Sequence, residues 1–272
     1  MKLKELPKSL YHTLRLKSLS STTLSSYSEE SVPVIVSLTT IPSRINKVDI
    51  TIRSILMQTK RPKKVVLWLP ESLRGKIPKS LDLLQQGVFE IKFSHLTCSH
   101  KKLIHSLQEY PDDVIVTCDD DFIYNQNWLD FLYNQHIKYP KSIVANQARM
   151  IRYSKEGDLL PYKNWIYDKD KGASDKSILP IGANGVLYPP GALHKDVFDE
   201  NLFFKLAPKA DDLWFKAMAL LQHTESRLSD KIPPIPIPIM GTQKVSLKKE
   251  NIDKGKNVIQ WKALQDYFNL KL

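Results

Sequence analysis

The sequence predicts an α/β layered domain, with a mixed and mostly parallel central sheet flanked by helices. Three observations predict it. From Val32 onward, short β-branched runs alternate with segments whose apolar residues recur at helical spacing. One run, Asp113 to Cys118, is apolar on both faces, as a strand in the middle of a parallel sheet is. The chain's 272 residues are 42% hydrophobic and 25% charged, enough for one large or two small globular domains, which excludes wholesale disorder and fibrous repeats.

The first thirty residues stand apart from this pattern. Leu3, Leu6, Leu10 and Leu14 recur every three or four positions among Lys2, Lys4, Lys8, Arg15 and Lys17, and a Ser/Thr-rich stretch follows from Ser18 to Ser31. The spacing predicts a basic amphipathic helix, either packed as a terminal helix or lying on an anionic lipid surface. It lacks the apolar core of a secretion signal. Val34 to Leu38 is a first strand, ended by the turn residues Thr39-Thr40-Ile41-Pro42. Ile45 to Gln58 is helical through Val48, Ile52, Ile55 and Leu56. Lys64 to Leu69 is a second strand stopped by Pro70, and Glu90 to Phe93 a third.

Lys101 to Glu109 is a helix with Leu103, Ile104 and Leu107 on one face, leading into the strand at Asp113 to Cys118. Trp128 to Tyr139 is a helix ended by Pro140, and Ser142 to Ala145 a further strand. Arg152 to Ser177 is polar, dotted with aromatics and aperiodic; a loop of that length implies a functional or mobile segment. Gly182 to Pro190 reads as a Gly/Pro turn region, and Asp211 to Gln222 as a helix. Ile232 to Ile239 holds four prolines and is extended, as an edge segment or linker. The tail from Gly241 is basic until Trp261 and amphipathic after it. No run approaches the roughly 18 consecutive apolar residues of a membrane-spanning helix.

Forty basic residues against 29 acidic ones give +11, which suits an anionic partner: nucleotide phosphate, nucleic acid or an acidic membrane face. Cys98 and Cys118 are too few for a disulfide scaffold or a Cys-rich zinc site, so a reducing compartment is the default. Neither G-x-x-x-x-G-K-[ST] nor G-x-G-x-x-G occurs, so phosphate handling would rest on side chains and a metal.

The sharpest signal is Asp119-Asp120-Asp121 directly after the apolar strand. Three adjacent carboxylates repel one another, and a cation or hydrogen-bond donors must compensate them. In extended geometry Asp119 and Asp121 would share a face and Asp120 would point away. Two hard oxygen ligands with room for water and phosphate suit Mn²⁺ or Mg²⁺; a solvated acidic loop or a helix start accounts for the same residues. Arg44, Lys101 and Lys102 sit near other strand ends, where they would meet phosphate charge or line a solvated face. A second acidic pair, Asp211-Asp212, opens a predicted helix, as a cap or as a general base for a sugar hydroxyl. Trp214 beside it either stacks on a sugar or fills the core. Gly182 and Gly185 let the backbone approach a ligand or form a plain turn. The seven histidines lack zinc-type spacing, and only His223 follows the second acid pair closely enough to be kept as a metal ligand.

Taken together these residues resemble a GT-A glycosyltransferase. Val36-Ser37-Leu38-Thr39-Thr40-Ile41-Pro42-Ser43-Arg44 is similar to the nucleotide-binding opening of bacterial family 2-type enzymes, and Asp119-Asp120-Asp121 to their DxD motif. Gly182 to Pro190 resembles their acceptor-side loop and Asp211-Asp212-Leu213-Trp214 their late acidic motif; the order is also similar to the exostosin-like catalytic domain. The likeness spans roughly Val32 to Gln222. It implies a GT-A type, Rossmann-like fold and a nucleotide-sugar donor, UDP-sugar being the commonest class. It also implies Mn²⁺ or Mg²⁺, and transfer of a hexosyl or N-acetylhexosaminyl group to a hydroxyl of a cell-surface glycan or lipid-linked acceptor, as in polysaccharide or lipopolysaccharide biosynthesis. Thr39, Arg44, Lys102, Asp119 and Asp120 would lie on the donor side, with Asp121 and Asp119 on the metal. Asp212 or Asp211 would be the base of an inverting reaction, and Gly182, Asn184, Gly185 and Trp214 would form the acceptor or sugar loop. The late histidine that completes the metal shell in many members has no clear counterpart; water or His223 would substitute.

The expected organisation is a basic extension over 1–31, a catalytic domain over 32–245 and a basic tail with a short helix over 246–272. The expected location is the cytoplasm, with peripheral contact at the inner face of the membrane, and no nucleic acid is expected as a partner. Two other readings use the same residues. A sugar-phosphate nucleotidyltransferase shares the layout but usually carries a glycine in the loop after the first strand, and Thr39 to Arg44 has none. A non-enzymatic polyanion-binding module would use the net charge with Tyr153, Tyr162, Trp165 and Tyr167.

Overall fold

The computed structural model describes residues 3–25, 30–168, 175–242 and 255–272. In chain order the elements are α1 (Leu6–Ser18), α2 (Ser21–Ser25), β1 (Glu30–Thr39), α3 (Val48–Leu56), β2 (Lys60–Pro70), α4 (Lys79–Asp82), β3 (Phe89–Ser94), α5 (Lys101–Glu109), β4 (Val114–Thr117) and β5 (Phe122–Ile123). They continue with α6 (Trp128–Lys138), β6 (Ile143–Ala145), β7 (Ala148–Met150), β8 (Ile178–Pro180), β9 (Val186–Tyr188), α7 (Glu200–Leu206), α8 (Asp211–Leu221), β10 (Ser226–Leu228), β11 (Ile237–Pro238) and α9 (Lys256–Phe268).

Seven strands form one sheet in the order β10-β6-β9-β4-β1-β2-β3. All its pairs are parallel except those of β9, which runs antiparallel to both β4 and β6. This mixed, mostly parallel sheet flanked by helices is the Rossmann-like layered layout that the sequence predicts. The period of two in β1 divides the core. Val34, Val36 and Leu38 face a layer that includes residues of α3 and α6, while Ile35 faces a layer with residues of α5, α8 and α9. Every residue of α3 is buried, the polar Asp49, Thr51, Arg53 and Ser54 included.

The region Gly182 to Pro190 differs from the expected turn, because it holds β9, a strand inside the sheet. Three residues bounded by Gly185 and Pro189-Pro190 are too few to show periodicity. Pairing with Ile115, Val116 and Thr117 of β4 and with Val144 and Ala145 of β6 makes them a strand. The predicted loop over 152–177 is bracketed by β7 and β8, which pair with each other antiparallel. Within its described part lie a Tyr153–Leu159 bridge and a short 3₁₀ turn at Tyr162–Asn164. In the proline-rich run, only Ile237 and Pro238 pair as a strand, against Ile123 and Phe122 of β5.

Both terminal helices pack on this body. Arg53 of α3 donates to the carbonyls of Leu16 and Leu19, and α9 buries Trp261 and Leu264 in the layer shared with α8. No helix among the described residues is long and apolar enough to cross a membrane.

Candidate active site

The acid triplet follows the carboxyl end of β4, at the edge where ligands bind in open parallel sheets. It is not extended. Residues 120 and 121 form a turn, so the expected alternation fails. Asp120 and Asp121 both face Arg44, with Nη1 2.6 Å from Asp120 and Nη2 3.3 Å from Asp121, while Asp119 turns the other way to Lys102. The turn is braced by Thr51, whose hydroxyl donates to the carbonyls of Asp120 (2.8 Å) and Phe122 (2.9 Å), and by the Ile239 N–H on the Asp121 carbonyl (2.9 Å). Thr40 donates its hydroxyl to Asp120. Burial pushes the Asp120 carboxyl up, against Arg44 and Thr40. For the Arg44 guanidinium, burial is outweighed by Asp120 and Asp121, which raise it above its ordinary value.

On the other side of the triplet, Lys102 joins the two acid clusters. Its Nζ lies 3.0 Å from Asp119 and 3.1 Å from Asp211. Sequence and packing aim it there. Ser37 of β1 donates to the Lys102 carbonyl, Ser106 donates to Ser37 (2.8 Å), and the Trp68 indole N–H donates to Ser106 (2.9 Å). This buried chain fixes α5 against β1 and β2, leaving its first turn at the strand ends. Burial works against the ammonium charge of Lys102, but Asp119, Asp211 and Asp212 more than offset it and hold the group well above its ordinary value. Lys102 is therefore a cation at neutral pH, with only 5% of its side chain exposed.

Asp211 and Asp212 occupy the first turn of α8, where the helix dipole favours negative charge. Neither is the cap, since that position is Ala210. Their environments separate them. Burial would raise the Asp211 carboxyl, yet Lys102 and then His100 outweigh it and leave the group below its ordinary range. Asp212 is raised well above the ordinary carboxylate value, by burial first and then by the charge of Asp211. The Gly182 N–H donates to Asp212 Oδ1 at 3.2 Å. Space is tight at Gly182. A Cβ at this position would stand 3.1 Å from Asp212 Oδ1 and 3.4 Å from Lys102 Nζ. Lys102, Asp119, Asp211 and Asp212 line a cleft of about 240 Å³, together with Ser99, Tyr162, Lys209 and Asn257.

The structure thus brings Arg44, Lys102, Asp119, Asp120, Asp121, Asp211, Asp212 and Gly182 to one edge of the sheet. Other expected residues it places differently. Thr39 donates to the Trp68 carbonyl (2.8 Å), and its neighbour Thr40 is the one joined to the acids. Trp214 is fully buried, with its indole N–H on the Val197 carbonyl, so it fills the core and cannot stack on a sugar. Gly185, at φ +92°, serves packing: a Cβ there would fall 2.6 Å from the Trp128 ring. Asn184 is buried, and its carbonyl accepts from the Trp128 indole at 2.7 Å. His223 is exposed beyond the end of α8, about 16 Å along the axis from Asp212 at 1.5 Å per residue. It cannot complete a shell there.

Sequence reasoning missed Tyr124 and Trp128 as organisers. The Tyr124 hydroxyl accepts from the Asp119 N–H (3.0 Å) and donates to the Ala183 carbonyl (3.1 Å), tying the acid turn to the 182–185 loop. A Tyr and a Trp four residues apart after the triplet were the available signal. Three of the four aromatics of the polyanion-binding reading are spent internally, and Tyr167 is half-buried. Trp165 is buried, Tyr162 nearly so, and the Tyr153 hydroxyl meets the Trp261 indole and Gln265.

Among the described residues no three or more His, Cys, Asp or Glu converge as a metal cluster. Asp119, with 37% of its side chain exposed, and Asp121 supply hard oxygens two positions apart. They turn to opposite sides, Asp119 to Lys102 and Asp121 to Arg44, so a Mn²⁺ or Mg²⁺ ion here would take one of the two carboxylates and draw its other ligands from phosphate and water.

The sequence matches no protein-family model and no curated protein. Among solved structures, the chain is similar to the 4-diphosphocytidyl-2C-methyl-D-erythritol synthase of Anaerococcus prevotii, with 11% identity and a TM-score of 0.48, over 88% of this chain and 99% of that one. It is also similar to S. aureus TarS 1–349, with 15% identity and a TM-score of 0.42, over 75% of this chain and 59% of that one.

Proposed function

We propose that the chain is a metal-dependent glycosyltransferase that moves a sugar from a nucleotide-sugar, of the UDP-sugar class, to a hydroxyl of a glycan or lipid-linked acceptor. The observation that supports this most is the convergence of Lys102, Asp119, Asp211 and Asp212 on one cleft at the carboxyl edge of the sheet. Two carboxyl groups side by side, one held low and one pushed high, are suited to different tasks.

In this reading Lys102 and Arg44 offset the negative charge of the donor diphosphate. Asp211 holds Lys102 in place. Asp212, with its proton affinity raised, takes the proton of the acceptor hydroxyl as the new glycosidic bond forms and the sugar–phosphate bond breaks; a positioned general base contributes about 10²–10⁴-fold. Asp119, or Asp121 once released from Arg44, would hold Mn²⁺ or Mg²⁺, which would neutralise charge on the leaving diphosphate. The Gly182 N–H, donating to Asp212 Oδ1, fixes the base without consuming both its oxygens.

The test is a thermal-shift panel of nucleoside diphosphates with and without Mn²⁺, followed by donor turnover in wild type, Asp121→Ala and Asp212→Asn. A metal-dependent shift with one base and loss of turnover in both variants is expected. Full turnover in both variants would overturn the site assignment.

A further inference from the structure

Helix α1 turns an apolar row to solvent. A surface helix normally directs that row to the core, yet the buried positions of α1 are Ser9 and Leu16. Leu10, Tyr11 and Leu14 remain 46%, 64% and 59% exposed, and Leu3, just ahead of the helix, 85%. Lys8, His12 and Arg15 follow one another at i, i+4 and i+7 and so form an adjacent row. They line a cavity of about 290 Å³ whose walls include the apolar side chains of Leu16, Met57 and Ile123. Ile235 of the proline-rich strap also lines it and is 83% exposed.

Charge identifies what covers this face. Between residues 3 and 25, Glu5 is the one acidic residue, against Lys4, Lys8, Arg15 and Lys17. Burial and then the charges of Lys8 and Arg15 push the His12 imidazole below its ordinary value, so the row sits in a positive field. A second copy docked by two-fold symmetry would set this row near its own like charges, a juxtaposition that is costly. An anionic bilayer answers both features at once, since apolar side chains enter the interface and basic ones meet headgroup phosphates.

We infer that this face, formed by the outward row of α1, the Lys8–Arg15 row and Ile235, docks on a lipid bilayer carrying anionic headgroups. The strap links it to the acid turn. Ser9 donates to the Pro238 carbonyl (2.7 Å), and the next residue, Ile239, donates its N–H to Asp121 (2.9 Å). The inference is independent of the proposed reaction, because none of these side chains belongs to the cleft.

The experiment is co-sedimentation of the full chain with phosphatidylcholine vesicles, with and without phosphatidylglycerol, across a salt series. The variants are Leu10→Ser/Leu14→Ser, Lys8→Glu/Arg15→Glu and, on the strap, Ile235→Ser, each checked by thermal melting. Capture by the anionic vesicles alone, weakening with salt, is expected. Each double variant should lose about tenfold or more in affinity with its melting temperature unchanged, and Ile235→Ser should weaken capture as well. Absence of capture, equal capture by neutral vesicles, or full capture by all variants that melt like wild type would overturn the inference. So would a dimer in solution that Leu10→Ser/Leu14→Ser dissolves.

Discussion

Single residues carry the sharpest consequences. The proton affinity of Asp212 is raised, and its Oδ1 accepts from a glycine N–H inside the cleft. Asp212→Asn should lower kcat by about 10²–10⁴-fold while leaving nucleotide binding largely intact, which steady-state kinetics beside a nucleotide titration will separate. Lys102→Gln should act on binding instead, because it leaves Asp119 and Asp211 facing each other without their shared cation; the readout is a weakened nucleoside diphosphate affinity. Gly185 carries a structural burden. An added methyl meets the Trp128 ring and the backbone is at φ +92°, so Gly185→Ala should cost about 1–3 kcal/mol by overpacking, to be read from denaturant melts.

At the scale of elements, the active edge depends on two short pieces. The antiparallel β9 closes the gap between β4 and β6 and delivers the 182–185 loop to Asp212. Leu187, at its centre and fully buried, pairs with Val116 and Val144. Leu187→Ala should destabilise the chain by about 2–5 kcal/mol, and turnover at temperatures well below the melt should fall less than in Asp212→Asn. The first turn of α5 is the other piece, held by the Ser37–Ser106–Trp68 hydrogen bonds. Ser37→Ala removes the link between Ser106 and the Lys102 carbonyl, and leaving these buried partners unmatched costs about 1–3 kcal/mol.

For the molecule as a whole, buried ionisable groups set the response to acid. His100 is fully buried and stacked on Phe203, and burial, reinforced by Lys102 and opposed by Asp211, pushes its imidazole down to about 4. The unfolded chain takes up that proton near pH 6.5 and the folded chain only near 4. Stability from this group is therefore present above pH 6.5 and lost as the pH falls toward 4, on the order of 3 kcal/mol in all. His100→Phe should flatten the melting temperature across that window, which calorimetry at successive pH values will measure.

The sequence by itself determined the layered class, the order of the longer strands and helices, and which acids and bases were candidates. Val34–Leu38 and Lys101–Glu109 announce themselves because burial on a strand or helix face imposes a period on the residues. Tertiary structure alone decided the rest. Val186–Tyr188 becomes a strand through partners in β4 and β6, far away in sequence. The turn at Asp120 and Asp121, which sends both carboxylates to Arg44 and leaves Asp119 to Lys102, is set by Thr51 and Ile239 reaching over from other elements. A lone Trp gives no sign of whether it meets ligand or core, and Trp214 went to the core because α8 buries that face. Periodicity records which side of an element is dry; which acids share a cation depends on contacts between elements, and these leave no local pattern in the chain.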